Sequence, residues 1–186
     1  MREYLLGERQ GLRDLMAWNA DTTRMPYRMH SEYLRHLFMN NDLAEGRWLV
    51  DGRPVALADI RVPLFVVSTV RDHVAPWRSV YKIHLFNDSP ITFVLTSGGH
   101  NAGIVSEPGH PRRSYQIGSR AAGDRYVAPD QWQAEMPRHP GSWWPAWHDW
   151  LAQQASAQVV PPAMGGKSGK ARTALPEAPG SYVRDR

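Results

Sequence analysis

Asp72 and His100, 28 residues apart, are the side chains of this sequence best placed to do chemistry together. A carboxylate that accepts a hydrogen bond from one imidazole nitrogen fixes the tautomer, and the other nitrogen can then take a proton from a nucleophile. Each residue follows a short apolar run, residues 64–70 before Asp72 and residues 91–96 before His100. In open α/β sheets the working groups stand on loops just past the carboxyl ends of strands. Gly98-Gly99 strengthens the reading, because glycines let a loop backbone approach a substrate closely. A carboxylate and a histidine paired for purely structural reasons remain the competing account of the same two residues. Asp72, His73, His100 and His110 could converge on a metal, but no HExxH-like spacing supports one and none is expected. His30, His36, His84, His139 and His148 read as surface or boundary residues.

Such a pair needs two strands that end side by side. Residues 64–70 (LFVVSTV), bounded by Pro63 and by Arg71-Asp72-His73, have the profile of a parallel strand buried on both faces. Residues 78–86 set Val80, Ile83 and Leu85 among polar neighbours, as a covering helix would, and Asn87-Asp88-Ser89-Pro90 ends it. Residues 91–96 form the next strand, and Ser97-Gly98-Gly99-His100 leaves its carboxyl end. Further on, the pattern predicts a short helix over 102–106, a strand over 112–117, a short helix starting at Pro129-Asp130-Gln131-Trp132 and a loop over 137–141. Pro145 suits the first turn of a terminal helix, where its missing N–H costs nothing. On that helix Trp143, Trp147, Trp150 and Leu151 fall on one face, read as packing against the domain rather than as a ligand platform.

Upstream, Met29, Tyr33, Leu34, Leu37 and Phe38 make a single apolar stripe after Pro26, ended or broken by Asn40-Asn41-Asp42. Residues 47–57 read as a hairpin about Asp51-Gly52, a pair that supplies the positive φ angles of a type I′ turn. Pro54 places it on an exposed edge. From about residue 155 the composition turns to Ala, Pro, Gly, Ser and Lys without periodicity, which predicts a disordered tail. Tyr182-Val183 near its end is a candidate to dock. The chain thus divides into residues 1–62, 63–154 and 155–186.

With 42% apolar and 22% charged residues the composition is that of a globular protein. Much of the net charge of +4 sits in the tail, so no basic nucleic-acid footprint is supported. No apolar run approaches the ~20 residues that span a bilayer, and no signal-peptide pattern opens the chain, so a cytoplasmic protein is expected. The absence of cysteine excludes disulfides and thiolate metal sites. No Gly-x-Ser-x-Gly or Gly-x-Cys-x-Gly elbow exists either. In an α/β-hydrolase fold the nucleophile precedes the acid and the histidine, so it would lie upstream of Met1. The sequence therefore reads as the second half of an α/β-hydrolase enzyme, a partial, mostly parallel sheet with flanking helices plus the tail.

Several blocks in order then become specific. Residues 18–26 (WNADTTRMP), 71–79 (RDHVAPWRS), 97–105 (SGGHNAGIV), 141–147 (GSWWPAW) and 178–183 (APGSYV) resemble the C-terminal part of a polyhydroxyalkanoate synthase, of the class I poly(3-hydroxybutyrate) polymerase type. The resemblance implies acyl transfer from a 3-hydroxyacyl-coenzyme A thioester to a growing polyester, with release of coenzyme A and no further cofactor. It implies His100 as general base and Asp72 as its partner, which some accounts of the family make the activator of the hydroxyl. The family's cysteine nucleophile has no counterpart here. His73 and Trp77, in the same block as Asp72, are candidates to line the pocket, although His73 reads equally as a mere neighbour of Asp72. Asn101 is placed to shape the loop against substrate, whereas Asn19 and Asp21 suit packing or capping. The expected partners are the missing N-terminal half or another synthase chain, a dimer in the full enzyme, and the surface of polyester granules. A serine esterase or depolymerase half and a non-enzymatic granule- or synthase-binding chain are the competing readings.

Overall fold

The computed structural model describes Trp18, Ala20, residues 24–161 and Gly180. The chain divides into two compact units after Ser142. In the first, α1 (Tyr27–Tyr33) runs into a π-helical segment, Leu34–Met39, followed by a hairpin of β1 (Trp48–Val50) and β2 (Arg53–Val55). Then come β3 (Leu64–Thr69), two short helices α2 (Trp77–Tyr81) and α3 (Ile83–Phe86), β4 (Ile91–Thr96) and β5 (Ser114–Arg120). Helix α4 (Pro129–Glu135) and strand β6 (Arg138–Pro140) complete the unit.

Among the described residues the main sheet has the order β3-β4-β5-β6. The β3–β4 pair is parallel, whereas β4–β5 and β5–β6 are antiparallel. The fold is therefore mixed α/β, and the expectation of a mostly parallel sheet is corrected. The reason is local: no helix intervenes between β4 and β5, and Gly123-Asp124 and α4 lead into a β6 too short to read as a strand in a stretch containing Pro137 and Pro140. The parallel pair is in full register, Leu64 opposite Ile91 and Thr69 opposite Thr96, so both strands end level. The ladder continues into the loops, Val70 N–H donating to Thr96 O at 3.0 Å and Arg71 N–H to Gly98 O at 3.0 Å. That level ending positions the site.

β4 is the buried strand, with Ile91, Phe93, Val94, Leu95 and Thr96 almost wholly enclosed. Phe93 and Leu95 point to one face and join Trp77, Tyr81 and Trp132 in the core. The Phe93 ring meets Tyr81 at 4.9 Å and Trp132 at 5.2 Å, both nearly edge to face. Burying such rings contributes roughly 1.5–3 kcal/mol each from area alone. Gln116 Nε2 donates to Gln133 O and Met136 O, satisfying carbonyls at the end of α4 that have no helical partner. Asn87 Nδ2 donates to Leu57 O and Ile60 O, tying the segment before β3 to the turn before β4.

The hairpin follows expectation: Asp51 and Gly52 both take positive φ, 49° and 74°. Other readings are corrected. β3 lies at the sheet edge with Leu64 to Val67 only half-buried, rather than enclosed on both faces. The single helix over 78–86 is two pieces broken at Lys82, whose inward residues are Trp77, Tyr81 and His84, while Leu85 is exposed. His84 is thus a core residue: three-residue spacing from Tyr81 carries it inward, where its ring lies 4.4 Å from that of Tyr81. The stretch 102–106 forms hydrogen-bonded turns rather than a helix, Gly103 N–H reaching Gly99 O and Val105 N–H reaching Asn101 O. The apolar stripe of 29–38 is divided between an α-helix and a π-helix and leaves Met29, Tyr33, Leu34 and Phe38 exposed. No helix among the described residues is long and apolar enough to cross a membrane.

In the second unit α5 (Trp144–Gln154) starts with Pro145 in its first turn, as expected. The Trp143 and Trp147 rings pack 5.8 Å apart, and Trp147 and Leu151 are partly exposed. Residues 155–161 are exposed. The remaining tail apart from Gly180, including Tyr182-Val183, and the motif residues Asn19 and Asp21 lie outside the described residues.

Candidate active site at the ends of two parallel strands

Asp72 follows β3 by three residues, and His100 follows β4 by four. Asp72 Oδ2 lies 2.9 Å from His100 Nδ1. Its other oxygen, Oδ1, accepts from Val74 N–H at 2.9 Å and Ala75 N–H at 2.8 Å. The turn that Pro76 terminates thus presents two amides to one oxygen and leaves the second for the imidazole. The Ala75 N–H above all, then the His100 hydrogen bond and the Val74 N–H, hold the Asp72 carboxyl below its usual range against the opposing effect of burial. An ionised carboxylate can only accept, so His100 Nδ1 carries the hydrogen, and in the neutral form of the ring Nε2 is the nitrogen that keeps a lone pair. The Asp72 side chain is 8% exposed and the His100 side chain 46% exposed. The carboxylate is shielded while the imidazole faces solvent.

The His100 loop is held by close backbone approach. Gly98 takes φ 117°. A Cβ on Gly103 would fall 2.5 Å from Thr69 Cγ2, so that residue must be glycine for the loop to lie against the end of β3. Ser142 Oγ donates to Ser106 O and anchors the far end of the segment.

His73 is exposed beside Asp72. Asn101 is half-buried, its carbonyl accepting from Ile104 N–H at 3.1 Å and Val105 N–H at 2.9 Å. Trp77 is 4% exposed and belongs to the core, with the Arg78 guanidinium 4.6 Å from its ring. The structure therefore brings Asp72 and His100 together, keeps His73 at the surface beside them, and sets Trp77 inward. Among the described residues no group of three or more His, Asp or Glu side chains could hold a metal ion.

Sequence reasoning missed the Val74 and Ala75 amides, although an Asp side chain in a turn characteristically accepts from the backbone two residues on. It also missed a second acid–histidine pair. His36 Nδ1 lies 2.7 Å from Asp42 Oδ2, and Arg47 Nε donates to Asp42 Oδ1 at 3.3 Å. There the His36 ring stands edge-on to Trp48 at 5.6 Å, and the pair joins the π-helix to β1 rather than ending two strands. A hydrogen-bonded acid and histidine are therefore not diagnostic alone, and the two pairs differ in their place relative to the sheet.

No family model matches the chain. Curated relatives do, across its length. The poly(3-hydroxyalkanoate) polymerase of Methylorubrum extorquens is 40% identical over 184 residues, covering 99% of this chain and 29% of the relative. The poly(3-hydroxyalkanoate) polymerase subunit PhaC of Rhizobium meliloti is 37% identical over 186 residues, 100% of this chain and 29% of the relative. The chain matches the C-terminal part of a polyhydroxyalkanoate synthase. PhaC of Cupriavidus necator agrees, at 38% identity over 183 residues, 97% of the chain and 30% of the relative. These synthase relatives are named as polymerases, and so as enzymes. The chain spans under a third of their length.

Proposed function

We propose that this chain supplies the acid and base of an acyltransferase that polymerises 3-hydroxyacyl-coenzyme A into polyester. The observation that carries the reading is the Asp72–His100 hydrogen bond at the level ends of β3 and β4, in a chain whose relatives are polymerases. The parallel β3–β4 pair, with Asp72 and then His100 past its ends, suits the C-terminal half of an α/β-hydrolase fold, in which nucleophile, acid and histidine follow in that order. The nucleophile, a cysteine thiol in this reading, comes from the part of the polymerase that this chain does not span; the sequence itself contains no cysteine.

His100 Nε2 takes the thiol proton and the thiolate attacks the thioester carbonyl. The carbon–sulfur bond to coenzyme A then breaks, and the departing thiolate recovers a proton from the imidazolium. In the second half, Nε2 takes the proton of a 3-hydroxyl as that oxygen attacks the acyl group, forming an ester and releasing the protein thiol. Asp72 stays ionised throughout, orienting the ring and stabilising the imidazolium. His73, exposed beside Asp72, and Asn101, at the turn after His100, border the acyl group, whereas Trp77, buried in the core, supports the Asp72 turn without touching substrate. The working enzyme joins this chain to the rest of a synthase, dimerises, and acts at the surface of a polyester granule in the cytoplasm.

The test is coenzyme A release from 3-hydroxybutyryl-CoA. The 186-residue chain alone is expected to release none, and release is expected once the remaining portion of a polymerase relative is added. Turnover by the chain alone would contradict the reading.

A further inference from the structure

A cavity of about 150 Å3 opens where β3, β4 and β5 meet, lined by Arg71, Ser97, Gly98, Tyr115 and, from β6, Arg138, among others. It borders the site just described, since Arg71 precedes Asp72 and Gly98 lies two residues before His100. Its lining contains two guanidinium groups and no carboxylate. Among the described residues neither Arg71 nor Arg138 makes an ion pair, whereas Arg28, Arg47, Arg78 and Arg120 all do. A third guanidinium, outside the lining itself, lies close to Gly98: a Cβ there would be 3.0 Å from Arg113 Nη1. Arg113 Nε is buried and has no hydrogen-bond partner among the described residues. Three like charges gathered about one loop repel one another until an anion sits between them. Guanidinium forks match phosphate oxygens in pairs.

We propose that this cavity binds a phosphate group of the thioester's coenzyme A carrier. The assignment of the carrier rests on the acyl-transfer reading; the assignment of a phosphate rests on the cavity itself. The cavity has room for a phosphate group. The rest of the carrier lies outside it. A phosphate ester carries nearly two negative charges near pH 7, which suits this lining better than the single charge of a polyester's terminal carboxylate.

The test is a calorimetric titration of the 186-residue chain with inorganic phosphate, adenosine 3′,5′-bisphosphate, pantetheine and 3-hydroxybutyrate, repeated on Arg138→Gln and on Arg71→Gln/Arg138→Gln. Both arginines are exposed, and circular dichroism checks that the variants keep their structure. The two phosphate compounds are expected to bind, pantetheine and 3-hydroxybutyrate are not, and the double variant should lose at least ten-fold in affinity. Unchanged affinity in the double variant, or 3-hydroxybutyrate binding as tightly as phosphate, would overturn the phosphate site. In the assembled polymerase Arg138→Gln should raise KM for 3-hydroxybutyryl-CoA several-fold and leave kcat unchanged. An unchanged KM beside an intact phosphate titration overturns the carrier assignment. Absence of any turnover in the unsubstituted assembly beside an intact titration instead counts against the acyl-transfer reading, so the two failures are distinguishable.

Discussion

At Asp72 the two carboxylate oxygens have separate tasks, one held by backbone amides and one by His100. Because the Ala75 amide is the strongest influence on this carboxyl, His100→Ala should leave it titrating below the ordinary aspartate range, as followed by carboxyl 13C NMR. A carboxyl whose folded pKa is depressed stabilises the fold above the ordinary value near 3.8, and that contribution disappears as pH falls through the folded value. His84 works in a higher window. Burial, and then the Arg120 charge, push its pKa down from 6.5 to about 4. The unfolded chain therefore binds a proton that the folded one refuses, and stability is full above about pH 6.5 and falls as pH drops towards 4. The loss amounts to roughly 3 kcal/mol at the acid end. Chemical denaturation between pH 7 and 4 should show this slope, and His84→Gln should flatten it. Asp72 and His100 were legible in the sequence because each ends an apolar run and the second follows two glycines. His84 was not, since a polar residue at an inward helical position looks the same in sequence as one on the surface; only the break at Lys82 and the aromatic packing around it decide.

Among the elements, the parallel register of β3 on β4 converts two sequence-distant loops into one site. Gly103 is the contact that lets them close. Gly103→Ala would push a methyl to 2.5 Å from Thr69 Cγ2 and 3.1 Å from Gly99 O. Overpacking of this kind costs about 1–3 kcal/mol, and here it should also loosen the Asp72–His100 bond. The check is denaturant stability together with turnover in the assembled polymerase, with Thr69→Ser, which removes Cγ2, expected to restore part of both. Strands β3 and β4, the Asp51-Gly52 turn and helices α4 and α5 could be read from periodicity and turn residues. The π-helix at Leu34–Met39 and the strand at Arg138–Pro140 could not. The first leaves the apolar spacing of a helix unchanged while altering its backbone hydrogen bonds. The second has three residues, one a proline, and exists only because β5 offers it a partner.

For the molecule as a whole, β3 ends the sheet with no strand on its outer side among the described residues. Half-buried Leu64 and Val66 lie on that strand, and the exposed Tyr27, Phe38 and Met39 lie upstream. An apolar edge strand templates further pairing. Size-exclusion chromatography with light scattering should accordingly find the isolated chain self-associated, and converted to a defined complex by the rest of a polymerase. A monodisperse monomer that unfolds cooperatively would contradict this. The family resemblance was legible because several blocks occur in order, while the mixed character of the sheet needed the pairing of β5 and β6, which no single segment encodes. The central claim is that Asp72 and His100 form the acid and base of acyl transfer. The most direct measurement is the rate of coenzyme A release from 3-hydroxybutyryl-CoA by the assembled polymerase carrying Asp72→Asn or His100→Ala. Losses of about 10³-fold or more are predicted for each, as for the loss of an orienting acid or its base in other acyl-transfer triads. Near-unchanged rates in both variants would contradict the account.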